Sequence, residues 1–192
     1  MKWVTTMSSC EDQGFPCQNL DYSAFDKIAR AELSDPIDAD ELVNASKYCM
    51  RIPVDPNLTI GDLDHKLFLK VLRDKIGLYQ LWVDYQTCDD HGSNTMLCVY
   101  VGKGPPEIRV SSHIGKKWAS DVDLFATFTP MSNRLAKYYE QLFLDTYAFD
   151  LNSLENSGTE KLYAIWNEER YTLGTHLHEI SNISKMQSPH DW

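Results

Sequence analysis

Two tyrosines stand at facing ends of neighbouring apolar runs: Gly77-Leu78-Tyr79 opens one run and Tyr100-Val101-Gly102 closes the next, with Lys103 directly after. A phenol has a reference pKa near about 10, so it accepts a proton near neutrality only when a cation favours its phenolate. Arg109 and His113 are four residues apart and share a face if their segment is helical. A guanidinium fork suits a phosphate, and an imidazole suits proton traffic. Residues 103–117 carry Lys103, Arg109, Lys116 and Lys117 against the single acid Glu107. Taken singly, the tyrosines also fit sheet packing, and Lys116 and Lys117 fit a solvated face.

Glu140 lies in Lys137-Tyr138-Tyr139-Glu140-Gln141-Leu142, and Asn152 follows in Asp150-Leu151-Asn152. A carboxylate beside an apolar helix face can hold a hard divalent cation whose remaining positions are filled by water. Alone, Glu140 equally fits an exposed glutamate near Lys137.

The elements that must position these groups follow from periodicity. Residues 1–20 read as an irregular arm. Tyr22, Phe25, Ile28, Ala29 and Leu33 have helical spacing, and Pro36 ends that segment. Asp38 to Tyr48 is expected as a second short helix, and Leu63, Leu67, Phe68, Val71 and Leu72 as the face of a third. From Gly77 the pattern changes. Leu78 to Tyr85 and Met96 to Gly102 are β-branched and aromatic runs around the turn-rich segment Asp89–Asn94, which predicts a hairpin. Glu107–Trp118 is expected to be helical, Leu124–Thr129 a strand stopped by Pro130, Ser132–Tyr147 a strong helix, and Lys161–Trp166 a last strand. The fold class expected is α+β, a small mainly antiparallel sheet flanked by helices. Its divisions are a mainly helical extension over 1–75, a domain over 76–180 and a loose tail over 181–192.

In this order, Gly77-Leu78-Tyr79, Tyr100-Val101-Gly102-Lys103, Arg109, His113, Glu140 and Asn152 resemble the GIY-YIG nuclease family. The run from Tyr100 to His113 is similar to the incision nuclease of bacterial excision repair, where tyrosine is usual at the last position; histidine there is similar to some restriction enzymes of the family. The resemblance covers about residues 76–153. It implies metal-assisted hydrolysis of DNA phosphodiesters. Tyr79 would be the general base helped by Lys103, with Tyr100 the second candidate. Arg109 would hold the scissile phosphate, His113 would orient water, Glu140 would bind Mg²⁺ or Mn²⁺, and Asn152 would orient the phosphate. The 80–99 spacer is longer than compact members use, which suggests an insertion at Asp89–Asn94.

Composition narrows the class. The 192 residues hold 18 Lys and Arg against 28 Asp and Glu, a net charge of −10, which argues against general nucleic-acid binding and makes any phosphate site local. Residues 1–76, 77–118 and 119–192 carry net charges of −4, 0 and −6. No apolar run approaches the roughly 20 residues of a membrane span, and no secretory signal pattern opens the chain, so a cytoplasmic site of action in a producer or target cell is expected. Five cysteines without a CxxC pair indicate neither a zinc ribbon nor a full disulfide framework. Cys10 and Cys17 could bridge under oxidation. His176-Leu177-His178-Glu179 offers metal ligands without further residues to complete a site. The charge balance favours a toxin or effector nuclease of little sequence specificity, with an inhibitory immunity protein as possible partner. A restriction enzyme and an inactive binding module of the same fold are the alternatives.

Overall fold

The structure, a computed structural model, describes residues 10, 17, 20–52, 69–70, 72–117, 123–153 and 155–174, with side chains of the helix ending at Lys117 described as far as Ser112. The elements are α1 (Ser23–Glu32), α2 (Ala39–Val43), β1 (Tyr48–Ile52), β2 (Gly77–Cys88), β3 (Ser93–Lys103), α3 (Pro106–Lys117), β4 (Leu124–Pro130), α4 (Asn133–Thr146), β5 (Tyr147–Ala148), β6 (Glu160–Lys161), β7 (Tyr163–Asn167) and α5 (Glu168–Thr172). Among the described residues, β1-β4-β2-β3-β7 form one antiparallel sheet, and β5 pairs with β6 in parallel. The fold is α+β.

Strand alternation sends side chains to two cores. Leu78, Trp82, Cys98, Val101 and Phe125 face α1, α2 and α4. Phe25 and Ala29, four apart on α1, are buried there, and the Phe25 ring lies 4.4 Å from that of Phe143 on α4. Ser132 caps α4 by accepting a hydrogen bond from Leu135 N–H at 3.3 Å. Tyr79, Leu81, Tyr100, Ala126 and Phe128 form the other face, under Leu69, Leu72 and Val110 of α3. A short polar relay is buried within the sheet: Trp82 Nε1 donates to Thr127 Oγ1 at 2.9 Å, which donates to Gln80 Oε1 at 3.1 Å.

The hairpin of β2 and β3 has no inserted loop. Its turn is Asp89–Gly92, with Gly92 at φ +56, and the polar residues Thr87 and Asn94 belong to the paired strands. A bulge interrupts it: Leu81 pairs with Tyr100 but Trp82 with Cys98, so Val99 is the extra residue. Val99 and Tyr100 consequently share a face.

Residues 23–52 do not pack as a helical unit of their own. α1 and α2 bury their apolar residues in the core shared with α4, and β1, an addition to the expected elements, pairs with β4. The second helix is shorter than expected, ending at Val43. Of the third expected helix, Leu69 and Lys70 are helical and most of the rest lies outside the described residues, as do His176, His178, Glu179 and the tail over 181–192. Among the described residues, no helix is long and apolar enough to cross a membrane.

Candidate active site

Antiparallel pairing sets Tyr79 opposite Gly102 and Leu81 opposite Tyr100, so the two tyrosines are diagonal neighbours on one face. Their rings stack with centroids 5.9 Å apart. Gly102 has to be glycine at this point: a Cβ there would lie 2.5 Å from Tyr79 Oη and 2.7 Å from Tyr100 Cε1. Gly77 is constrained similarly, since a Cβ would meet the Thr129 carbonyl oxygen at 2.3 Å.

Tyr79 is buried, and its Oη has no hydrogen bond of acceptable geometry. Burial pushes the phenol well above its ordinary value and Tyr100 adds to the rise, while the Arg109 guanidinium pulls the other way. The cation that acts on Tyr79 is therefore Arg109 on α3. Lys103, the cation expected to do so, has its Nζ 3.6 Å from Glu140 Oε2 on α4. Arg109 is exposed beside the buried Val110. Glu107, the lone acid of this stretch, is taken up by Arg73 at 3.0 Å, which holds its carboxyl below the usual range.

The predicted residues therefore gather in two groups. Tyr79, Tyr100 and Arg109 stand on the α3 face of the sheet. Lys103, one residue past Gly102, belongs by alternation to the α4 face and meets Glu140 there. The end of β3 joins the two. Both members of the ion pair are partly buried, with 26% and 18% of their side-chain surface exposed. His113 lies on α3 one turn beyond Arg109, with its side chain outside the described ones.

Asn152 does not face outward. Its Oδ1 accepts from Val101 N–H at 3.1 Å and its Nδ2 donates to the Val101 carbonyl at 2.9 Å. Leu151 N–H donates to the Val99 carbonyl at 2.9 Å. Beyond Leu97, where β7 leaves, these groups occupy the outer edge of β3 and hold the main chain between Tyr100 and Gly102.

Sequence reasoning missed a second cluster. Cys10, Cys17, Cys88 and His91 bring one ligand atom each to within 4.8 Å of one another; among the described residues it is the one group of three or more potential metal ligands found. The bridge that oxidation could form is absent, for all five cysteines are free and the sulfurs of Cys10 and Cys17 lie 3.3 Å apart. The available signal was Cys88 at the end of β2 and His91 in the turn after it, with two residues between them. A groove of about 560 Å³ also opens near this turn, lined in part by Lys47, His91 and Arg170, and holds none of the predicted active-site residues.

Comparison of the chain with protein-family models, with curated proteins and with solved structures finds no match.

Proposed function

We propose that this protein is an endonuclease that hydrolyses DNA phosphodiesters with Mg²⁺ or Mn²⁺ as cofactor. The observation that carries the reading is the Tyr79 phenol, closed over Gly102 and stacked on Tyr100, with an unpartnered Oη and an exposed guanidinium beside it. A buried polar atom left unsatisfied costs about 1–3 kcal/mol, and a functional role is one reason such a cost persists. Arg109 holds the scissile phosphate and offsets charge that builds on it during attack. Tyr79 would take the proton from water only as the phenolate, after its own proton has passed to solvent. Since burial keeps it protonated in the free protein, deprotonation has to coincide with the arrival of positive charge at the site.

Glu140 suits the cation by its chemistry: a partly exposed carboxylate in a loose ion pair, where one protein oxygen with water and phosphate oxygens satisfies Mg²⁺. Bound there, the ion supplies Lewis-acid stabilisation of the leaving oxygen. Lys103 sets the Glu140 carboxylate in place, and Asn152 sets the strand that carries Tyr100 and Gly102. His113, on the Arg109 helix, is assigned to the water.

A toxin or effector role in the cytoplasm of a producer or target cell fits the charge distribution. Cations concentrate in 103–117 while both flanks are acidic, and reading a DNA sequence normally requires positive charge and base-contacting groups over a wider surface. A producer of such a nuclease would hold it in check with an immunity protein.

The test is incubation of the purified protein with plasmid DNA and with RNA, in Mg²⁺, Mn²⁺ or EDTA, beside Tyr79→Phe, Arg109→Ala and Glu140→Ala. A metal-dependent smear is expected, with each variant slower by about 10²–10³-fold and melting like the parent. Discrete fragments would make the protein a restriction enzyme. No metal-dependent cutting would leave only a binding module, and full activity in all three variants would overturn the assignment of these residues.

A further inference from the structure

The hairpin turn and the N-terminal arm meet at sulfur and nitrogen. Cys88 Sγ lies 3.4 Å from His91 Nδ1, Cys10 Sγ 3.3 Å and Cys17 Sγ 3.6 Å from the same nitrogen. A neutral imidazole nitrogen has either one proton or one lone pair, so it can serve one thiol and not three. Hydrogen bonding therefore leaves the convergence unexplained. A metal ion at the centre explains it. With Zn–S near about 2.3 Å and Zn–N near about 2.0–2.1 Å at tetrahedral angles, sulfur and nitrogen ligands stand about 3.5 Å apart and sulfurs about 3.8 Å apart.

We infer that Cys10, Cys17, Cys88 and His91 form a structural zinc site that fastens the N-terminal arm to the β2–β3 turn. The three thiols are buried and form an apolar cluster of their own, separate from the two sheet cores. Three thiolates and one imidazole are a donor set for zinc, and mutual distances within 4.8 Å suit a single ion. A second contact orients the first ligand: Cys10 N–H donates to Asp90 Oδ2 at 3.0 Å, inside the turn that carries His91. With four protein ligands the site is closed, which is the arrangement of a structural ion; a catalytic one keeps a position open. Cys88 lies nine residue steps along β2 from Tyr79, about 30 Å at strand rise, so the site is independent of the proposed nuclease centre.

The experiment measures zinc per chain by elemental analysis of the reduced, purified protein, and substitutes Co²⁺ to read thiolate coordination in the absorption spectrum. One zinc per chain and a tetrahedral thiolate–cobalt spectrum are expected. His91→Cys should retain the ion with altered absorption, since four cysteines also make a zinc site. Cys88→Ser and His91→Ala should each bind far less, and Glu140→Ala should keep full zinc, separating this site from the other. Should a variant fail to fold, the parent protein decides: stripping its zinc with a strong chelator should lower Tm by about 10 °C or more. A reduced parent without zinc that takes up neither Zn²⁺ nor Co²⁺, or variants that bind zinc as well as the parent, would overturn the assignment. A Cys10–Cys17 disulfide in protein isolated without reductant and free of zinc would do the same.

Discussion

Asn152 holds Val101 by both of its main-chain polar groups, at 3.1 Å and 2.9 Å, and so stands in for a residue of a missing neighbouring strand. Asn152→Ala exposes or strands both groups and should cost about 1–3 kcal/mol in urea unfolding. Asn152→Asp keeps an acceptor for Val101 N–H but turns a carboxylate oxygen towards the Val101 carbonyl, so it should be no more stable than alanine. A variant with unchanged stability would mean that the edge of β3 does not need this side chain.

Gly102→Ala places a methyl 2.6 Å from Tyr79 Cζ and 2.7 Å from Tyr100 Cε1. Both rings must move, and overpacking of this kind costs about 1–3 kcal/mol. Loss of cleavage should exceed what the loss of stability explains, because the displaced atom is Tyr79 Oη. Thermal melting and cleavage rates of the same preparation separate the two effects.

Burial raises the phenols of Tyr22, Tyr79 and Tyr147 above their ordinary value. In the unfolded chain these groups lose their protons near the reference value of about 10. Their contribution to stability is therefore complete below about pH 10 and is lost progressively as pH rises towards the higher folded values. Urea midpoints should fall between about pH 9 and pH 11, and Tyr147→Phe should lessen the fall. A midpoint insensitive to pH over that interval would contradict the burial of these groups.

EDTA acts at two places if both proposed sites hold metal. Adding Mg²⁺ back should restore cleavage without restoring the full Tm, whereas adding Zn²⁺ should restore Tm without cleavage. Parallel melting curves and plasmid assays after each addition check this. Recovery of both properties with Mg²⁺ alone would remove the need for zinc.

The helices α1, α3 and α4 are legible because each leaves an amphipathic period in the sequence, and the hairpin strands, although buried on both faces, because β-branched and aromatic runs flank a turn-rich segment. β1 is not, since Tyr48, Cys49, Met50 and Ile52 are all buried and no alternation survives. The sequence predicts strands that stop at Tyr85 and resume at Met96 because Asp89–Asn94 is turn-rich; in the structure Thr87 Oγ1 donates to Asn94 Oδ1 at 3.0 Å across the ladder. Tyr79, Tyr100 and Gly102 could be related from the sequence, as strand pairing is nearly a one-dimensional rule. The partner of Lys103 could not, because which face a residue takes depends on the bulge. The thiol cluster joins segments more than 70 residues apart, and no local spacing announces that.

Val99 fixes a phase. Between the turn and Cys98 the even-numbered positions of β3 point at α4, and from Val101 onward the odd-numbered ones do. The two halves of the strand are thus independent reading frames separated by one inserted residue. Deleting Val99 would close the bulge, set Cys98 and Tyr100 consecutively opposite Trp82 and Leu81, and leave each side chain on the face it now holds; what it would remove is the local kink and the carbonyl that anchors Leu151 N–H.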